Sequence, residues 1–333
     1  MNNKRLIMLG MATLSITPQV TVAAENAHWL PTLYGSTQAQ VRYQSNESLN
    51  AQIAEANLGL KGLYKNDGLK VFYNTRLQYS DNFTDTSTFN DIELIDANMF
   101  IAYKNYGGVF VGEGTTGTWK DLYSKVDIHA SNNMEISSGG NLFEAAKYGH
   151  NQLAYATPKI SGDLGTLWFK AAVITPNQHN DTDIDIFGLR ALYHGENYNL
   201  IINRAQIDKK VFGSVDENCV RWTIAADYQW DNVTLAALAE LTESSPSQAK
   251  SVYSAALTYN YNNIDFGISF QTKSWEDEAQ NPDQNLTIAS IKYHFSDNIT
   301  LYTEAALYKE QPVDINPNDA HDDNVNIGFI FHF

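Results

Sequence analysis

Residues 323–333 read Asp-Asn-Val-Asn-Ile-Gly-Phe-Ile-Phe-His-Phe. Side chains of an extended strand alternate between two faces. Val325, Ile327, Phe329, Phe331 and Phe333 share one face; Asn326, Gly328 and His332 share the other, with Ile330 as the exception. A flat aromatic strand at an open sheet edge invites aggregation, whereas a barrel closed on itself in a membrane has no edge to protect. The stretch therefore predicts a strand whose aromatic side faces lipid.

The same alternation recurs upstream. Val220, Trp222, Ile224, Ala226, Tyr228 and Trp230 oppose Arg221, Thr223, Asp227 and Gln229. Ile264, Phe266, Ile268 and Phe270 oppose Asp265, Gly267, Ser269 and Gln271; Val71, Tyr73, Thr75, Leu77 and Tyr79 oppose Lys70, Asn74, Arg76 and Gln78. Sixteen strands are expected, over 32–44, 52–65, 68–80, 92–105, 108–114, 150–157, 164–175, 183–194, 196–206, 218–230, 232–243, 248–261, 263–275, 284–295, 298–310 and 323–333. Short connections such as 66–68, 106–108, 231–232 and 262–263 carry Gly, Asn and Asp, which supply the positive φ of tight hairpins. Longer polar connections alternate with them, the habit of outer-membrane barrels. The expected fold is all-β, a 16-stranded antiparallel transmembrane β-barrel.

Composition agrees. Mean hydropathy is −0.35, and no stretch approaches the ~20 apolar residues of a membrane helix. A barrel escapes such a scan because polar residues interleave with apolar ones. The single cysteine, Cys219, excludes an intramolecular disulfide and a cysteine-based metal cluster. Acids outnumber bases, 38 to 22, which argues against nucleic acid as a partner and favours cations. Near the start, Lys4 and Arg5 precede an apolar run, Leu6–Ile16, then Pro18 and Val22-Ala23-Ala24. That is the layout of a secretory signal peptide. The expected organisation is a signal peptide over 1–24 and a barrel over 25–333.

One interval, Thr115 to Gly149, lacks clean alternation and is long for a connection, which points to a functional role or disorder. Around it lie motifs that resemble the Gram-negative general diffusion porins: Leu33-Tyr34-Gly35; Asn57-Leu58-Gly59-Leu60-Lys61-Gly62; Asn66-Asp67-Gly68-Leu69-Lys70; Phe100 to Tyr103 leading to Tyr106-Gly-Gly-Val-Phe-Val-Gly112; and Asn151 to Pro158. The resemblance runs from Leu33 to Phe333. It implies that 115–149 is an inward-folded third loop that narrows the pore with Asp121, Asp127, Glu135 and Glu144. It also implies wall arginines facing those acids. Arg76 matches such a position; Asn57 and Glu113 stand where the family has arginine. Arg42, Lys170, Arg190 and Arg221 fall on the expected inner face and can substitute.

The function expected is passive passage of ions and small hydrophilic solutes, with a cation preference, no catalytic residue and no cofactor. The resemblance further implies a homotrimer, set among outer-membrane lipid and lipopolysaccharide. The alternatives are a sugar-selective channel, an outer-membrane hydrolase, for which no Ser/His/acid arrangement stands out, and an adhesin. Asp181, Asp183 and Asp185, like Asp319, His321, Asp322 and Asp323, read as solvated loop charge rather than divalent-cation sites, and the tyrosines as interfacial girdle residues.

Overall fold

A computed structural model describes residues 30–44, 49–80, 92–131, 142–175, 184–212, 217–245, 249–276, 282–309 and 323–333. The expected signal peptide lies outside them. Seventeen strands form one sheet: β1 (Thr32–Gln44), β2 (Asn50–Asn66), β3 (Leu69–Ser80), β4 (Ile92–Tyr103), β5 (Gly107–Thr115), β6 (Tyr148–Ala156), β7 (Ile160–Gly162), β8 (Gly165–Ile174), β9 (Ile186–His194), β10 (Tyr198–Ile207), β11 (Cys219–Trp230), β12 (Val233–Glu243), β13 (Ala249–Tyr261), β14 (Ile264–Trp275), β15 (Gln284–Ser296), β16 (Ile299–Lys309) and β17 (Asn324–His332). Each pairs antiparallel with its neighbour, and β1 pairs with both β2 and β17, so the sheet closes.

The closed sheet has sixteen strand positions. Both β6 and β7 pair with β8, along successive stretches of it. The break between them holds Pro158, which has no N–H to give the ladder. The sequence pattern ends the sixth strand at 157; the chain in fact resumes pairing at Ile160 before turning at Asp163–Leu164. Elsewhere the strand bounds lie within three residues of those expected.

Alternation sorts the side chains as anticipated. Val325, Ile327, Phe329, Phe331 and Phe333 are exposed, while Asn324 and Asn326 are buried. Trp222, Ile224, Tyr228 and Trp230 are exposed, while Arg221 and Thr223 are buried. One side of the closed sheet is thus apolar and the other mostly polar. The short turns use positive φ at Asp67, Asp231 and Asn262, where Asn and Asp tolerate the left-handed region.

The closing seam involves the last residue. Gly35 N donates to Phe333 O and Phe333 N to Gly35 O, both at 3.0 Å. The Phe333 ring occupies the space a Cβ on Gly35 would need, so Gly35 is required by that close approach. Removing Phe333 deletes both bonds and is expected to destabilise the barrel by about 1–3 kcal/mol at the usual net value per hydrogen bond. Urea unfolding of the refolded barrel in detergent measures this.

Candidate functional site

The stretch between β5 and β6 supplies the largest set of contacts across the polar face. It begins with α1 (Gly117–Asp121), capped by Thr116, whose Oγ1 accepts from Trp119 N at 3.2 Å. A single 3-10 turn, Tyr123–Lys125, follows. Trp119, Leu122, Tyr123 and Val126 are all buried. Their i, i+3, i+4, i+7 spacing places them on one helical face. They form a core with Leu142, Phe143 and polar-face residues that are themselves apolar, among them Leu192, Ile201, Leu238, Val252, Leu286 and Ile288. At about 1.5–3 kcal/mol per large buried side chain, this core is a main reason for the segment to dock.

Polar contacts fix where it docks. Tyr123 Oη donates to Glu240 on β12 and lies 3.3 Å from Thr223 Oγ1 on β11. Glu240 also accepts from Glu144 N at 2.9 Å, and its Oε1 is 3.9 Å from Arg221 Nε. Lys125 pairs with Asp227. His129 is buried with Nε2 2.7 Å from Ser269 Oγ and Nδ1 2.9 Å from Ser290 Oγ. Burial, helped by the Lys292 charge, pushes its imidazole down to about 3, so it docks neutral. Ala130 N and Ser131 N both donate to Glu304 on β16, and Leu142 N donates to Gln271 Oε1 at 3.1 Å. Lys292 Nζ donates to Ile128 O at 2.6 Å.

The residues singled out from sequence distribute as follows. Asp121 accepts from Lys170 Nζ at 2.7 and 2.9 Å and pairs with Arg190, whose NH2 donates to Thr118 Oγ1 at 2.7 Å. Glu144 pairs with Lys273. Arg76 Nε donates to Asp96 Oδ2 at 2.6 Å, and its NH1 reaches Asn57 Oδ1 at 3.4 Å. Arg42 is buried opposite Asn326. Asp127 is half-buried at the end of the 3-10 turn, where its N–H donates to Tyr123 O. Glu135 lies outside the described residues.

Glu113 departs from expectation. It pairs across the sheet with Ala97, in phase with Val111 opposite Met99, and so shares the apolar face. Its Oε2 meets Nδ1 of His150, whose side chain is 76% exposed, at 2.9 Å. Alternation from Val109 and Val111 carries through to Glu113, and the inner-face expectation rests on the resemblance alone; Gly112 and Gly114 have φ of 129° and 147°, and the register against β6 shifts between them. Sequence reading also missed Asp96, Asp227, Glu240 and Glu304, the carboxylates that hold these cations and the segment. Among the two charged clusters, Asp185 is buried at the start of β9, and its N–H donates to Ile174 O. Asp181, Asp183, Asp319, His321 and Asp322 lie outside the described residues. Cys219 is a buried free thiol at the start of β11.

Residues 10–311 match a family model described as Gram-negative porin. No curated protein matches the chain. Among solved structures, OmpF of Salmonella typhi in complex with daunomycin superposes with a TM-score of 0.72 at 16% identity, over 93% of this chain and 99% of that one. The anion-selective porin of Comamonas acidovorans gives 0.70 at 16% identity, over 91% and 99%. OmpT of Vibrio cholerae, in its trimer form, gives 0.66 at 13% identity, over 91% and 99%. At such identities the likeness is one of fold.

Proposed function

The chain belongs to the Gram-negative porin family, and from that premise we propose that it is a passive outer-membrane channel for ions and small hydrophilic solutes. The observation that carries this reading is the closed sheet of sixteen strand positions with an apolar face and a polar one. Lipid solvates the first and water the second. Such a cylinder conducts without a chemical step, a cofactor or a catalytic group.

In this reading the polar face lines the lumen, and 115–149 folds inward as the constriction. Its docking against β1, β8, β9, β11, β12 and β14–β16 supports that role, because it draws the segment onto the polar face of the sheet. Residues 1–24 act as the export signal. The protein assembles as a homotrimer among lipid and lipopolysaccharide; the trimer form of the Vibrio cholerae relative supports this.

The pore prefers cations. Wall cations near the segment are tied to carboxylates, Arg76 to Asp96, Lys170 and Arg190 to Asp121, and Lys273 to Glu144, and the segment's own Lys125 is tied to Asp227. The long connections carry further acids, including Asp81, Asp85, Asp277, Glu278, Asp319 and Asp322, and a negative mouth concentrates cations. Glu113, turned to the apolar face, plays no part in this selectivity. In a KCl gradient across a planar bilayer, the reversal potential is expected to take the potassium-selective sign. A chloride-selective sign removes the cation preference and leaves the channel.

A further inference from the structure

A row of paired residues crosses the polar face beside α1. Phe72 pairs with Phe100, and Phe100 with Phe110. The row continues as Ala154, Ala172, Gly188 and Ala205. Three aromatic rings thus give way to four positions with almost no side chain. The step leaves a hollow of about 220 Å³ under α1, lined on one side by Phe100 and Phe110 and on the other by Lys120, Lys170 and Arg190. A smaller cavity behind it shares Gly188 and Arg190 and reaches Asn203.

Two buried side chains there lack partners. Asn203 is 1% exposed, and neither Oδ1 nor Nδ2 has a hydrogen-bond partner among the described residues; Arg190 is 7% exposed, and its Nε has none. Buried polar atoms are rarely left unpaired, so these atoms point to a polar occupant. Asn203 lines only the cavity behind; at the hollow itself the unpaired atom is a donor, Arg190 Nε. The cationic side carries three positive charges, of which Asp121 offsets one. That donor and the positive charge select an anion. The Phe100 and Phe110 rings select a flat apolar body, and 220 Å³, below the usual ~300–1,000 Å³ of ligand pockets, limits its size.

We propose that this hollow binds a small organic monocarboxylate with a flat apolar body, its carboxylate toward Lys120, Lys170 and Arg190 and its body against Phe100 and Phe110. It is a local station for one solute class on the lumen wall, and in that sense it rests on the channel reading.

Sodium benzoate is the probe. Titrated calorimetrically into the refolded full-length barrel in detergent, it is expected to bind saturably in the millimolar range. Sodium acetate, lacking the ring, and benzyl alcohol, lacking the charge, are each expected to bind about tenfold more weakly or worse. Gly188→Leu fills the hollow without touching a charge. The nearest atoms to a Cβ at Gly188 are 3.9–4.0 Å away, so the site admits a Cβ; strand circular dichroism checks that the variant folds, and it is expected to lose the benzoate signal. Lys120→Gln is expected to weaken benzoate about tenfold.

No benzoate heat, equal binding of acetate, or full binding by a folded Gly188→Leu overturns the proposal. Conductance in KCl separates the two readings. Channels without benzoate binding sink this inference alone; benzoate binding without channels sinks the channel reading alone.

Discussion

Replacing Glu240 with alanine is expected to cost the folded barrel about 3–5 kcal/mol, the range for breaking a buried charge pair from one side. Glu240 is fully buried and accepts from Tyr123 Oη and Glu144 N, with Arg221 Nε 3.9 Å away. Its loss removes partners from three groups at once: a backbone N–H, the guanidinium of Arg221, which is itself buried, and the buried Tyr123 hydroxyl, which keeps only the longer contact to Thr223 Oγ1. The two halves of the segment, 116–131 and 142–147, meet at this one carboxylate, so its removal also loosens the segment. Two measurements report on this. The urea midpoint of the barrel in detergent falls, and trypsin cuts after Lys120 or Lys125 faster than in the parent. A variant with parental stability and parental cleavage means that the segment is held elsewhere.

The second large effect tests the other face. Ile268 is 48% exposed near the middle of β14, in phase with Phe266 and Phe270. Ile268→Arg is expected to destabilise the barrel in phospholipid vesicles by about 2–4 kcal/mol, the cost of arginine on the lipid side near mid-depth. Ile268→Thr, which adds no charge, serves as the control and costs less. Reversible urea unfolding from vesicles gives both values. Indistinguishable stabilities for the arginine and threonine variants mean that this face contacts water.

Much of the barrel was legible because period-2 alternation is a local property. Val325 to Phe333, Val220 to Trp230 and Ile264 to Phe270 each declare their faces without help from the rest of the chain. Hairpin turns are equally local, since Asp67, Asp231 and Asn262 carry their conformational tolerance in one or two residues. Resemblance to a family arginine position puts Glu113 inside, whereas alternation from Val109 and Val111 already puts it on the apolar face. At Pro158 a missing N–H interrupts a strand that resumes two residues later, at Ile160.

The 115–149 segment was less legible for a different reason. It lacks strand alternation, but Trp119, Leu122, Tyr123 and Val126 repeat at helical spacing. A search for period 3.6 inside the interval finds its buried face. Its docking partners were not legible. Tyr123 and Glu240 are 117 residues apart, and Ser131 and Glu304 are 173 apart. Only barrel closure brings such pairs together. Apolar residues on a mostly polar face, such as Leu192, Leu238 and Ile288, were the available hint that something packs against that face.

The central claim is that the sheet closes around water and spans a bilayer. Single-channel recording of the purified, refolded protein in a planar lipid bilayer with KCl on both sides tests it most directly. The account predicts discrete, ohmic conductance steps once protein is added. Protein that is shown to be folded and inserted, yet leaves the bilayer insulating, contradicts it.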